Sequence, residues 1–413
     1  MNLPYSIFGQ IRFLASRFLV DTNDRIMAWI IPENKLDVQQ RNFLDNTDIN
    51  AKNVWIKGFA GSGKSVLLVY VAKKIKSRAP SSSVLLIVFT RSLVEMFRAA
   101  FRELGLNIAI DTYYGFMNGT NHYDYILCDE VQDLTPRVIR KMNSRGSHVI
   151  VAGDSNQSIY TSDPRWREAT VTPSQIGSLI NGNAFELGII HRLSRSIIDA
   201  VQRFLPNMNI FTAKRDMTKS DTQIRLCEAP SEAMEVKYIM EQAGKAVNLK
   251  YTAAVLIPMQ NKIIQFANEA LRNANQPEWI PTMNQYGKPN YNSLNNHLRS
   301  RGVKMQYVGN GYGEFSENSR CITLMTFSSA KGLDFDNVFI PYANNSMFIS
   351  PNETLARTLF MVAMTRAREN LYITYYGYPS DYLDKFKSNC SHIDISSTQS
   401  TTPTNGDANA WGF

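Results

Sequence analysis

Short apolar runs separated by amphipathic stretches recur along most of the chain. From residue 54, VWIKG is followed by SVLLVYVAKKIK and VLLIVFT by SLVEMFRAAFREL, and YILCDE and HVIVAGD continue the series. Short runs rich in β-branched residues read as buried strands, and the stretches after them carry apolar residues at helical spacing. Strands alternating with helices build a parallel sheet covered on both faces. The pattern pauses around 160–185, resumes at 186-ELGIIHRLSRSIIDAV-201, and a second set follows in AAVLIPMQ, CITLMTF, NVFIPYA and LYITYY. The patterning predicts two α/β domains in tandem, 36–180 and 181–387, joined near 180.

Three segments fall outside that rhythm. Residues 1–35, with periodic Ile7, Ile11, Leu14 and Phe18, read as a helical or mixed extension. Residues 272–320 are rich in Asn, Gln, Tyr and Gly and read as a short, irregular or partly exposed insertion in the second domain. Residues 388–413 are Ser/Thr/Asn-rich without Lys or Arg and read as a disordered tail.

Composition narrows the class. The 413 residues, 44% hydrophobic and 19% charged, can bury a sizeable core without cross-links. Cys128, Cys227, Cys321 and Cys390 lie far apart in sequence, which argues against a metal knuckle or a disulfide framework and for a reducing, cytoplasmic setting. The N-terminal stretch lacks the continuous apolar core and small-residue site of a secretory signal, and no run is long enough to span a membrane. A net charge of +8 fits a polyanionic partner without establishing one.

The chemistry begins at 58-GFAGSGKS-65, directly after the strand NVWIK. It fits G-x-x-x-x-G-K-S/T, in which Gly58, Gly61, Ser62 and Gly63 turn backbone N–H groups toward phosphates, Lys64 reaches the β- and γ-phosphates, and Ser65 is a Mg²⁺ ligand. The expected ligand is therefore a nucleoside triphosphate with Mg²⁺. In 123-YDYILCDEVQDLTP-136, Asp129 and Glu130 end a neighbouring strand. With a phosphate loop upstream, Asp129 is expected to help hold Mg²⁺ and Glu130 to accept a proton from the attacking water. The alternative is a carboxylate pair that only solvates a strand end.

These motifs occur in an order that resembles the UvrD/Rep-type helicases of superfamily 1 across most of residues 36–375. The resemblance implies two RecA-like domains with ATP in the cleft between them. 36-LDVQQ-40 resembles the adenine-reading Gln motif, with Gln40 as its glutamine. 89-FTRSL-93 resembles an FTNKA-type segment, implying base stacking by Phe89 and a phosphate contact by Thr90; the plainer reading of Phe89 is a core residue at a strand end. 112-TYYGF-116 resembles T-x-H-S-F and implies strand contacts at Thr112 and at Tyr114, which stands in place of the His. DEVQD matches DE-x-Q-D, which places Gln132 at the cleft. In 153-GDSNQSIY-160, Gln157 is implied at the γ-phosphate and Tyr160 along the strand, and Trp166 substitutes for an aromatic missing at Ser162.

In the second half, 187-LGIIHRLSRSI-197 resembles L-x-x-N-Y-R-S, with His191 on the adenine-stacking Tyr and Arg192 reaching across the cleft. 324-LMTFSSAKGLDF-335 resembles LMTxHxxKGLEF. It implies strand contacts at Thr326 and Ser328 and nucleotide contacts at Gly332 and Asp334, whose carboxylate is set toward a ribose hydroxyl. 362-VAMTRAREN-370 resembles the VAxTRA segment, with Arg366 as a second arginine finger; Arg368 is expected on a solvated helix face. Two large inserted subdomains of the family find no room, either between Thr112 and Asp129 or ahead of Leu324.

The resemblance implies an ATP-driven motor moving 3′ to 5′ on single-stranded DNA, on its own or on tailed duplex. Two alternatives stand beside it: a nucleotide-gated subunit of a larger nuclease, repair or defence complex, and an RNA-directed motor. A protein partner is expected, if anywhere, at the N-terminal extension or at the tail 407-DANAWGF-413.

Overall fold

The computed structural model describes residues 30–154, 162–163, 166–206, 214–215, 221–315 and 319–396. Ile7, Ile11, Leu14, Phe18, Gln157, Tyr160 and the 407–413 segment lie outside the described residues.

The first domain runs α1 (Val38–Asn46), β1 (Asn53–Gly58), α2 (Lys64–Arg78), β2 (Val84–Val88), α3 (Arg91–Glu103), β3 (Ala109–Thr112), α4 (Tyr113–Asn118), β4 (Tyr123–Cys128), α5 (Pro136–Arg145), β5 (Gly146–Gly153), α6 (Pro173–Ile180) and β6 (Gly182–Leu187). Its sheet has the order β3-β2-β4-β5-β1-β6, and every pairing is parallel. All five residues of β2 are buried, which is why VLLIV is uninterrupted by polar positions. Parallel strands aim their carboxyl ends at one edge, so the loops after β1, β2, β4 and β5 gather there.

A short ribbon of β7 (Ile189–Ile190) and β8 (Lys214–Arg215) follows. The second domain contains α7 (Arg195–Phe204), β9 (Gln223–Ala229), α8 (Glu232–Asn248), β10 (Ala253–Ile257), α9 (Gln260–Asn273), α10 (Tyr291–Ser300), β11 (Met305–Tyr307), β12 (Ile322–Thr326), β13 (Phe335–Ile340), α11 (Glu353–Met364), β14 (Ala367–Tyr376) and β15 (Ser391–Asp394). Its order is β11-β12-β10-β13-β14-β9-β15, again parallel throughout. One apolar cluster links the halves, including Leu93, Val94 and Met96 from the first and Phe327, Ala330 and Leu333 from the second.

Three expected boundaries shift. The first sheet extends past 180, because Asn183–Leu187 pair in register with Val54–Gly58; half of β6 faces outward, which hid it in the apolar pattern. The 272–320 segment is built rather than irregular: it holds α10, whose Tyr291, Leu294 and Leu298 are buried, and the edge strand β11. Within the segment expected as a tail, Ser391–Asp394 add a strand beside β9. Of the N-terminal extension, Ile30 is buried, and the Ile31 carbonyl accepts a hydrogen bond from Tyr70 Oη (2.6 Å).

Candidate active site

Gly63 caps α2 in the left-handed region (φ +83°), and a Cβ there would lie 2.2 Å from Gln40 Nε2. Glycine is thus required both by conformation and by space. Lys64 Nζ donates to the Gly58 and Phe59 carbonyls (2.9 Å each) and lies at the loop's centre. The Ser65 hydroxyl donates to Asp129 Oδ2 (2.6 Å). The two metal-ligand candidates therefore meet, although 64 positions separate them.

Glu130 sits in the left-handed region (φ 56°, ψ 41°), unusual for a residue with a side chain. Its N–H donates to Asp129 Oδ1 (3.0 Å), and its carboxylate accepts from Gln132 Nε2. Gln132 Oε1 in turn accepts from the Asp154 N–H (3.0 Å), so this buried amide braces Glu130 against the end of β5.

Across the cleft, Lys331 is buried and donates to Asp133; its ammonium lies 3.6 Å from Glu130 Oε2. Arg192 Nη1 lies 2.7 Å from Asp334 Oδ1 and Arg366 Nη1 lies 4.0 Å from the same atom. Arg366 is 2% exposed and is held by the carbonyls of Val362 (Nε, 2.9 Å) and Leu333 (Nη1, 3.3 Å). Lys331, Arg192 and Arg366 line a cavity of about 260 Å³ shared by both domains, with Gln40, Gly61, Lys64, Ser65, Glu130, His191, Gly332 and Asp334 in its wall.

The electrostatics are those of a site built for an anion and a cation together. Burial and the neighbouring Arg192 push the Arg366 guanidinium down to about 9, against the pull of Asp334. An incoming phosphate relieves that repulsion. Burial, joined by the charge of Glu130, raises the Asp129 carboxyl, and Ser65 and Lys64 only partly oppose it. Burial would raise Glu130 as well, but Lys331, Lys64, the Gln132 amide and Arg366 outweigh it and hold it below the usual range. The donor set suits Mg²⁺, which takes one or two protein oxygens and completes its shell with phosphate and water. Asp129 and Ser65 would supply those oxygens, and among the described residues no group of three or more His, Cys, Asp or Glu is placed to hold a metal ion.

At the other end of the cavity, Gln40 Oε1 accepts from the Asp37 N–H (3.0 Å) and its Nε2 donates to Ser62 O (3.3 Å). His191 Nε2 lies 2.5 Å from Asp37 Oδ2, so the residue aligned with the base-stacking tyrosine is tied to the adenine-motif helix.

The expected strand-contact residues gather on a separate face. Phe89 stacks on Tyr113 (4.9 Å, 19°), and Trp166 lies edge-on to Tyr113 (6.1 Å) and stacked toward Tyr114 (6.4 Å). All four rings are half-buried. The hydroxyls of Thr90 and Thr112 accept from Leu93 N (3.3 Å) and Gly115 N (3.1 Å), so each caps a helix that starts at this face. In the second domain Thr326 Oγ1 lies 3.1 Å from Ser328 Oγ and 2.8 Å from Ser329 Oγ.

One expectation is corrected. Arg368 is on the strand β14 rather than a helix; it is 14% exposed, lies 3.7 Å from Asp336 and borders the cavity. The strand starts one residue after Arg366, which turns the next long side chain back toward the cleft. Sequence reasoning gave no site role to Lys331, Asp133 or Tyr113. Lys331 stood in the quoted AKGL turn, and a lone lysine in a chain carrying 44 Lys and Arg residues gives no signal until its partner carboxylates are placed.

Residues 40–163 match the AAA domain family, and residues 285–378 match the UvrD-like helicase C-terminal domain family, in that order along the chain. Together these two matches support a UvrD-like helicase. Solved structures similar to this UvrD-like chain include the C-terminal domain of a possible DNA helicase from Lactobacillus plantarum WCFS1, at 16% identity and a TM-score of 0.33, covering 50% of this chain and 98% of that one. The PRRSV helicase has 14% identity and a TM-score of 0.40, covering 82% of this chain and 54% of that chain. The arterivirus nonstructural protein 10 helicase, solved with DNA, has 15% identity and a TM-score of 0.41, covering 82% and 63%. This UvrD-like chain thus spans less than two thirds of either viral helicase chain. Comparison with curated proteins finds no match. Among the described residues no helix is long and apolar enough to cross a membrane.

Proposed function

We propose that this chain is an ATP-driven motor on single-stranded DNA, moving 3′ to 5′. The observation that carries the reading is the meeting of charges from both domains at one cavity: Lys64 and Glu130 from the first, Lys331 and Arg366 from the second, with Arg192 on the segment that joins them. A guanidinium supplied from the opposite domain stabilises developing γ-phosphate charge only when the cleft is shut. ATP therefore favours closure and hydrolysis releases it. Strand-contact residues on both domains turn each closure into a step.

Lys64 holds the phosphates, Glu130 takes the proton of the attacking water, and Gln132 keeps Glu130 aimed. Arg192 and Arg366 neutralise charge on the transferred group, and Asp334 orients both. Mg²⁺, when bound by Ser65 and Asp129, supplies further neutralisation of the phosphates. Gln40 and His191 recognise the base. Phe89, Tyr114 and Trp166 stack on bases, while Thr90, Thr112, Thr326 and Ser328 contact the backbone. Gln157 and Tyr160 join these sets at the γ-phosphate and along the strand.

The test measures ATP turnover with and without single-stranded DNA or RNA, together with displacement from 3′- and 5′-tailed duplexes. DNA-stimulated turnover and displacement only from 3′ tails are expected. Turnover that ignores every nucleic acid would sink the motor reading; preferential stimulation by RNA would transfer it to RNA.

A further inference from the structure

Residues 282–290 form a tight hairpin. Asn290 N donates to Thr282 O (2.7 Å), Asn284 N to Lys288 O (2.8 Å) and Gly287 N to Asn284 O (3.0 Å). The Asn284 side chain accepts from the N–H groups of Tyr286 (2.9 Å) and Lys288 (3.1 Å). The base of the hairpin is anchored by Trp279, whose backbone N–H donates to Asn268 Oδ1 (2.9 Å) and whose indole donates to Ser293 Oγ (3.2 Å). Yet Ile280, Met283 and Tyr286 are 83%, 61% and 77% exposed. A pinned hairpin that leaves three large apolar side chains in water has the build of a contact surface.

Charge and position identify the partner. From Trp279 to Gly313 the sequence has no Asp or Glu, whereas Lys288, Arg299, Arg301 and Lys304 lie within it and are exposed. That balance suits a polyanion. Asn284 Nδ2 donates to Tyr312 Oη (3.1 Å), and Tyr312 and Gly309 pair as a bridge. A Cβ at Gly309 would lie 2.9 Å from Ser329 Oγ, on the turn that carries Thr326 and Ser328. A Cβ at Gly311 would lie 3.9 Å from Arg91 Nη1, the residue after Thr90. The hairpin is thus continuous with the strand-contact positions of both domains.

We infer that this hairpin is a further single-strand contact that lengthens the footprint beyond the motif residues. Tyr286 stacks on a base and Lys288 meets a phosphate, a combination that tolerates any sequence. The inference rests on the strand-binding part of the proposed function.

The full chain is titrated with fluorescent oligothymidylates of about 6 and about 16 nucleotides, lengths that bracket a short and an extended site. Wild type is expected to bind the longer strand more tightly. Tyr286→Ala should lose that gain, about 10-fold, with the short strand unaffected, and Tyr286→Trp should restore it. Lys288→Ala should lower the salt slope for the longer strand by about 0.7. Tyr286→Ala binding both lengths as wild type does, as when the hairpin docks a protein instead, overturns the inference; so does an equal loss at both lengths. Phe89→Ala reads the underlying strand-contact assignment separately, because it should weaken both lengths. Wild type binding neither strand overturns both readings.

Discussion

Two glutamates, one in each domain, show what the cleft does to a carboxylate. Glu130 is largely buried at the cleft, its side chain 16% exposed, and Glu235 on α8 is fully buried in the second domain. Glu235 accepts from Thr374 Oγ1 (2.5 Å) and the Tyr342 N–H (2.8 Å), but burial dominates and pushes it up to about 7. Glu130 has Lys331 at 3.6 Å and is held below its usual range. Burial is common to both; the cations are not. Lys331 from the second domain and Lys64 from the first both favour the charged form of Glu130, whereas no cation is among the groups that set Glu235.

The first way to break that contrast is Glu130→Gln. It removes the base while keeping the group that Gln132 braces. ATP turnover in the presence of single-stranded DNA should fall by up to about 10⁴-fold, with ATP still bound, as read by phosphate release and nucleotide titration. Unchanged turnover would remove Glu130 from the mechanism.

Lys331→Met comes next. It leaves Asp133 buried without its interdomain ammonium, at a cost of about 3–5 kcal/mol to the closed form. Turnover and melting temperature should both drop. Lys331→Met/Asp133→Asn should recover stability but not full turnover, because Glu130 still lacks its nearest cation. Full recovery of both would make Lys331 a purely structural strut.

Glu235→Gln sharpens the comparison from the other side. The folded-state value of about 7 lies above the ordinary 4.5, so the unfolded chain releases the proton first as pH rises. Stability from this group is therefore complete below about 4.5 and is lost as pH rises through 7, by roughly 3 kcal/mol at most. Melting between pH 5 and 8 should show a decline in wild type that is much shallower in the variant. Parallel curves would mean that Glu235 is ionised throughout.

The smallest effect is expected away from the cleft. Trp166→Ala should weaken single-strand binding by about 1–3 kcal/mol while leaving the ATP affinity of the free chain unchanged, measured by anisotropy and nucleotide titration. A change in ATP affinity instead would place Trp166 among the groups that shape the cleft.

Much of the fold was legible because buried parallel strands must be continuously apolar. β2 and β10 are buried at every position, and each appears as an unbroken apolar run in the sequence. What escaped notice lacked that signature. β6 and β15 are edge strands, half and mostly exposed respectively, and α10 sits in an Asn-rich stretch whose few apolar residues are spaced for one buried face. The phosphate loop was legible for a different reason: its chemistry depends on backbone turns and one adjacent lysine, all contiguous in sequence. Arg368 was misjudged because its environment depends on where β14 begins.

The sequence by itself determined the nucleotide loop, the paired carboxylates, the order of the motifs and the alternation that makes two parallel sheets, since each is a local pattern with a local physical cause. Only the tertiary structure decided which charges meet. Lys331 lies 198 positions from Asp133, and Arg192 meets Asp334, which is remote from it in sequence. Coulomb interactions depend on separation in space and on how much water is excluded, and neither quantity is written in sequence distance.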